Sequence, residues 1–227
     1  HQCRTLWGEQ ELPSRIHWTS IDAFCDQILS TQRIDCRLRY NDWVRQKRQI
    51  TRSYLEQFQQ AEKEILICCS YFLPGPLLRQ KLAQALKRNV RVRVILTGIS
   101  DVPFAKSAER YLYRWMLNRG IEIYEYQSNV LHAKVSTIDD RWTTIGSYNL
   151  NEVSALASLE ANLDVRDRDF AISTRLLLDQ IIQKDCRSIK LEEIKHRYGL
   201  FSRLGQRLSY YLIHAILWLF TFYFRQE

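Results

Sequence analysis

The chain predicts an α/β fold, a mixed or largely parallel sheet flanked by helices on both faces in an α/β/α sandwich. Three observations carry that prediction. Between residues 51 and 126, stretches with apolar residues at helical spacing alternate with short β-branched runs, a βαβαβ order that puts helices on both sides of a sheet. Residues 131–145 then alternate polar and apolar side chains around Asp139-Asp140-Arg141, which reads as a hairpin. The composition is that of a packed domain: 227 residues, 46% hydrophobic, with seven Gly and four Pro, too apolar for a disordered chain and long enough for one α/β domain with a margin at either end.

The elements follow in order. Residues 1–36 are mixed, with a helical stretch over 21–29 that stops at Ser30-Thr31-Gln32. Residues 51–63 carry apolar side chains at helical spacing, and Ile65-Leu66-Ile67-Cys68-Cys69 follows as a buried strand, its two thiols pointing to opposite faces. Pro74-Gly75-Pro76 breaks the chain. Pro76 is placed to open a helix through residue 86, because proline at the first helical position forfeits no hydrogen bond. Residues 90–96 alternate β-branched side chains with Arg91 and Arg93, a strand with one polar face. A helix over 106–118, a stop at Gly120 and a strand over 121–126 come next. Strands over 131–138 and 142–145 make the hairpin, residues 159–165 alternate again, and 170–184 and 191–198 read as closing helices.

The chemistry concentrates on the hairpin. His132, Lys134, Asp139, Gly146, Ser147 and Asn149 fall in the spacing H-x-K-x4-D-x6-G-S-x-N, and Glu160 lies further along. On a strand, His132, Lys134 and Ser136 share one face and Val135 packs on the other. An imidazole beside a fixed cation and small polar donors is what attack on a phosphodiester requires: a nucleophile or proton shuttle, with positive charge over the phosphoryl oxygens. Gly146 permits a close backbone approach, and Ser147 and Asn149 are placed to donate hydrogen bonds to a phosphate. Glu160 is placed to accept from His132, which fixes the tautomer and raises the basicity of the ring. Taken singly, each has a plainer reading: a satisfied histidine, a solvated lysine, a turn aspartate, an exposed strand-end carboxylate. It is their conjunction that points to catalysis.

This pattern resembles the HKD motif of the phospholipase D superfamily. Tyr71-Phe72-Leu73-Pro74-Gly75, Leu96-Thr97-Gly98, Asp101-Val102-Pro103 and Leu159-Glu160-Ala161-Asn162 are similar to words in the C-terminal half of bacterial cardiolipin synthases of that type, over residues 37–186 or so. The resemblance implies a phospholipase D-like domain carrying one HKD half, with candidate catalytic residues His132, Lys134, Asp139, Ser147, Asn149 and Glu160, of which Asp139 would be a structural ion-pair partner. It implies phosphatidyl transfer between phosphatidylglycerol molecules through a phosphohistidine, with no cofactor and no metal. Members of this group carry two such motifs and assign the nucleophile to the first, so His132 would be the general acid/base. Here no second H-x-K occurs. The expected arrangement is therefore a C-terminal piece that meets an N-terminal HKD half, with residues 1–36 as the end of a preceding half or a connector. The alternative is a phosphodiesterase or nuclease that completes its site as a homodimer and takes both roles on His132.

Charge and the C-terminus bear on the partner. The formal net charge of +8 favours anionic partners without separating nucleic acid from an acidic membrane. The basic–aromatic interleaving of nucleic-acid readers is absent near the motif, which disfavours nucleic acid. Six Cys with no C-x-x-C and no Cys-His cluster read as reduced thiols rather than a zinc site. Residues 210–224 form an uncharged aromatic-rich run flanked by Arg203, Arg207 and Arg225. At that length it is short for a span. It fits a helix dipping into an anionic interface, with a tilted span or a helix packed on the domain as the other readings. The expected domains are 37–200 for the phospholipase D-like domain and 201–227 for a membrane-interacting segment, peripheral or anchored on the cytoplasmic side of a bacterial inner membrane.

Overall fold

Among the described residues nine strands join in one mixed sheet, and the connections between them put helices on both of its faces. A computed structural model describes residues 34–45, 47–197 and 199–223. The expected helix over 21–29, nearly all of the 1–36 segment, and Phe224 and Arg225 lie outside the described residues. In chain order the elements are β1 (Asp35–Asp42), β2 (Lys47–Arg48), α1 (Gln49–Gln60), β3 (Glu64–Cys69), α2 (Pro76–Lys87), β4 (Arg91–Ile99), α3 (Pro103–Leu117), β5 (Glu122–Val130), β6 (Lys134–Ile138) and β7 (Trp142–Gly146). They continue with α4 (Glu152–Leu156), β8 (Leu159–Arg166), α5 (Arg168–Asp185), β9 (Cys186–Ile189), α6 (Leu191–Arg197) and α7 (Leu200–Tyr223). The strand order is β2-β1-β8-β7-β6-β3-β4-β5-β9. Strands β3, β4 and β5 are parallel, and every other pairing is antiparallel.

Alternation along the strands divides two cores. Ile65, Ile67 and Cys69 of β3 face one core, which Tyr54 and Phe58 of α1, Leu82 of α2 and Leu112 of α3 complete. Leu66 and Cys68 face the other with Ile95, Leu131 and Leu178 of α5, and Val135 packs inward against them. Cys68 and Cys69 thus point to opposite faces. Burial raises the pKa of both thiols, that of Cys69 to about 11, so neither is a poised thiolate.

The polar face of β4 is divided: Arg91 stays exposed, while Arg93 is 6% exposed, donates twice to Glu64 at 2.8 and 2.9 Å, and pairs with Asp179 of α5 at 2.5 Å. Helix α5 roofs that face and brings the carboxylate a buried guanidinium needs. One expectation needs correction: β6 starts at Lys134, so His132 is not a strand residue. The C-terminal run is packed on the domain along one side. Tyr210 stacks on Tyr111 of α3 at 4.8 Å, Ser209 lies 3.3 Å from Ser107, and Gln206, Ser209 and Tyr210 are buried. No helix among the described residues is long and apolar enough to cross a membrane. The opposite side of α7 exposes Leu204, Leu208, Leu212, Ile216 and Leu219, an apolar stripe at helical spacing.

Candidate active site

The topology gathers the candidate residues at one end of the sheet. After β5 the chain must cross the carboxyl ends of β4 and β3 to reach β6, because β6 pairs with β3 and β5 with β4. Residues 131–133 belong to this crossing. Leu131 is tucked into the α5-side core, its N–H donating to Thr97 Oγ1 at 3.3 Å, and the Ala133 carbonyl accepts from the Ser70 N–H at 3.1 Å. His132 stands exposed between these two anchors, above the ends of parallel strands, where open α/β sheets bind ligands. Because β6, β7 and β8 run antiparallel in turn, the start of β6, the end of β7 and the start of β8 share that end. They bring Lys134, Ser147 and Glu160 together there.

Lys134 is the buried member of the group, 7% exposed, with Ser70 Oγ at 3.4 Å. Desolvation lowers its pKa, and the charges of Glu160 and Asp101 work against that shift. Ser147 Oγ donates to Glu160 Oε2 and accepts from the Ala161 N–H at 3.1 Å. The Glu160 carboxylate therefore has Ser147 as its partner rather than His132, and the Ser147 proton is held by Glu160 rather than free for a ligand. The cause is the β7–β8 register. Gly146 lies opposite Asn162, and a Cβ on Gly146 would stand 2.2 Å from the Ala161 carbonyl, so only glycine lets Ser147 approach Glu160. Asn149 Oδ1 accepts from Cys69 Sγ at 3.6 Å and lines a cavity together with Glu160.

Asp139 is not part of this cluster. It lies at the opposite end of β6, five residues and roughly 16 Å along the strand from Lys134. There its carboxylate accepts the N–H groups of Glu62, Lys63 and Glu64, each at 2.8 Å, and pairs with Arg141 at 3.1 Å. Asp139 and Asp140 both have positive φ, of 54° and 51°, in the turn that closes the hairpin. The ion-pair role is there, and a larger role with it: Asp139 clamps the entry of β3 to the β6–β7 turn.

A family model described as "Cardiolipin synthase, PLD-like domain" matches residues 54–182, more than half of the chain. The chain belongs to that phospholipase D-like family. It is 40% identical over 140 residues to cardiolipin synthase B of Salmonella typhi, covering 62% of this chain and 34% of that protein. It is 29% identical over 164 residues to the minor cardiolipin synthase of Bacillus subtilis (strain 168), covering 70% of this chain and 40% of that one. The chain thus spans about a third of the length of the curated cardiolipin synthases it resembles. Among solved structures, phosphatidylserine synthase of Haemophilus influenzae Rd KW20 shares the fold with a TM-score of 0.64 at 15% identity, over 93% of this chain and 56% of that one. Nuc of Salmonella typhimurium does so with a TM-score of 0.57 at 17% identity, over 70% of this chain and 99% of that one.

This phospholipase D-like domain also brings to the site groups that the motif spacing does not reach. Tyr71 follows β3 and Asp101 follows β4, and the Tyr71 hydroxyl donates to Asp101 Oδ1. That hydrogen bond, with a contribution from the charge of His132, holds the Asp101 carboxyl below its ordinary value. Burial and the Asp101 carboxylate push the Tyr71 phenol up to about 12. Beneath the 70–73 loop, Glu109 of α3 accepts the Phe72 N–H at 3.0 Å and Lys106 Nζ at 2.5 Å, all within the core. The signal for Tyr71 and Asp101 lies in position: each stands two residues past the end of a parallel strand, where site residues gather in this fold class.

Proposed function

We propose that this chain supplies one HKD half-site of a bacterial phosphatidyltransferase that joins two phosphatidylglycerol molecules into cardiolipin. The observation that supports it most directly is His132 exposed above the strand ends beside a buried, carboxylate-flanked Lys134. A nucleophilic imidazole attacks phosphorus, the phosphorus–oxygen bond to glycerol breaks, and His132 delivers its proton to the departing oxygen. His132 then takes the proton of a second phosphatidylglycerol hydroxyl, whose oxygen attacks phosphorus as the phosphorus–nitrogen bond breaks. Lys134 stabilises the charge that develops on the phosphoryl oxygens, an effect strengthened by its burial. The second imidazole comes from an N-terminal HKD half or a second copy. The exposed apolar stripe of α7 and the net positive charge suit peripheral attachment to an anionic membrane, the cytoplasmic side of the inner membrane.

The test is His132→Ala in the complete catalytic assembly. Phosphatidyl transfer falls to background while the melting temperature is unchanged, because His132 is exposed and anchors no core. Retained transfer above a few percent of wild type sinks the assignment. Hydrolysis of single-stranded DNA in place of lipid transfer moves the reading to a nuclease.

A further inference from the structure

An apolar cleft of about 440 Å³ opens beside the candidate site. One end is polar and shared with the motif: Tyr71, Asn149 and Glu160 line it. Apolar wall comes from Leu73, Val102, Phe104, Ala105, Val153 and Ile213, of the loop after β3, the start of α3, α4 and α7, with Asn151, Glu152, Ser154 and Ser158 among them. At the far side His214 of α7 meets Glu152 of α4 at 3.3 Å, tying the C-terminal helix to the loop that carries Asn149. Phe104 and Val153 are 42% and 41% exposed. Apolar side chains left wet around a concave opening mark a surface that a ligand covers.

The sequence of chemistries along the cleft selects the ligand. A phosphodiester belongs at the polar end, beside Lys134, and hydrocarbon belongs against the wall next to it. Inorganic phosphate or a nucleic-acid backbone would leave that wall in water. We propose that the cleft receives the acylated glycerol of the phospholipid whose phosphodiester lies at His132 and Lys134. The proposal rests on the phospholipid reading given above, and adds which part of the molecule is recognised and by which side chains. Helix α7 then has two faces with two uses, its inner residues Ile213 and His214 closing the cleft while its outer stripe stays free.

Binding to the full chain of dioctanoyl phosphatidylglycerol, held below its micelle concentration, is compared with that of glycerophosphoglycerol, which has the same phosphodiester and no acyl chains. Even one methylene in an apolar pocket discriminates by about ten-fold or more, so the acylated compound binds at least that much more tightly. Phe104→Asp and Val153→Asp each bring the ratio of affinities towards one. Both side chains are largely exposed, and either variant carries the test if the other melts early; a dibutyroyl-to-dioctanoyl series on the unmodified chain needs neither. A preference that survives in both folded variants, or an affinity flat across the series, overturns the cleft assignment and leaves the phospholipid reading standing. An unmodified chain that binds neither compound overturns the phospholipid reading itself, and the cleft assignment with it.

Discussion

Lys134 carries its charge into a buried setting where one hydroxyl, Ser70, stands at 3.4 Å and the nearby carboxylates make no salt bridge with it. Asp139, in the turn just past the other end of that strand, accepts three backbone N–H groups and an arginine. The two residues should part ways on substitution. Lys134→Met removes the desolvation penalty, so the domain becomes more stable while phosphatidyl transfer is lost. Each kcal/mol recovered is worth about 2–4 °C in a domain of this size. The sign with pH follows from a folded pKa below the ordinary 10.5. The penalty is full below the folded value and fades as pH rises towards 10.5, so the gain from Lys134→Met narrows in alkaline buffer. Asp139→Ala does the reverse, costing about 2 kcal/mol or more through unmet donors while turnover per folded molecule is kept. Thermal melting across pH, with activity per folded molecule, checks both; a Lys134→Met protein no more stable than wild type refutes the desolvation argument.

At the scale of elements, α7 is the piece whose two sides differ most. Leu208→Asp with Leu212→Asp places two charges on its outer stripe, away from Tyr210 and Ser209, which hold it to α3. Vesicles rich in phosphatidylglycerol should bind this double variant at least ten-fold more weakly, since each buried leucine contributes about 1.5–3 kcal/mol. Its melting temperature should hold, and cosedimentation equal to wild type would show that the stripe does not touch lipid. The uncharged run at 210–224 was legible from composition, but its inner contacts were not: a stack between Tyr111 and Tyr210 joins positions a hundred residues apart and leaves no local trace. The βαβαβ order and the hairpin were legible because hydrophobic period reports them directly. Strands β1, β2 and β9 leave little trace in the sequence, being short or largely exposed, and the places of β1 and β9 are set by partners distant in sequence. Alternation continues through His132 and so reads as strand there; what removes it is the crossing over β4 and β3, a property of strand order. Glu160 was legible as a member of the site, though its partner was not, since the glycine contact that admits Ser147 depends on register.

For the whole molecule, one HKD motif sets what a single copy can do. Double displacement needs a nucleophile on one side of phosphorus and a proton donor on the other, and one imidazole does not occupy both positions. A verified monomer of this chain, free of an N-terminal half, should therefore be silent in phosphatidyl transfer. Adding that half, or conditions that pair two copies, should restore it. Size-resolved assay decides, and transfer in the monomer peak defeats the two-histidine account. The sheet carries a further consequence, for synthesis. Of the described strands β1 is made first; β2 pairs one edge through two residues, but its other neighbour is β8, and the Arg39–Asp164 contact between them joins residues 125 apart. At about 5–20 residues per second on the ribosome, β1 waits roughly 6–25 s for its partner. An open strand edge invites other chains, and Arg37 and Arg39, spaced along β1, are charges of the kind that discourage them. The arginines of β1 thus keep charge on an open edge during the interval before β8 is made.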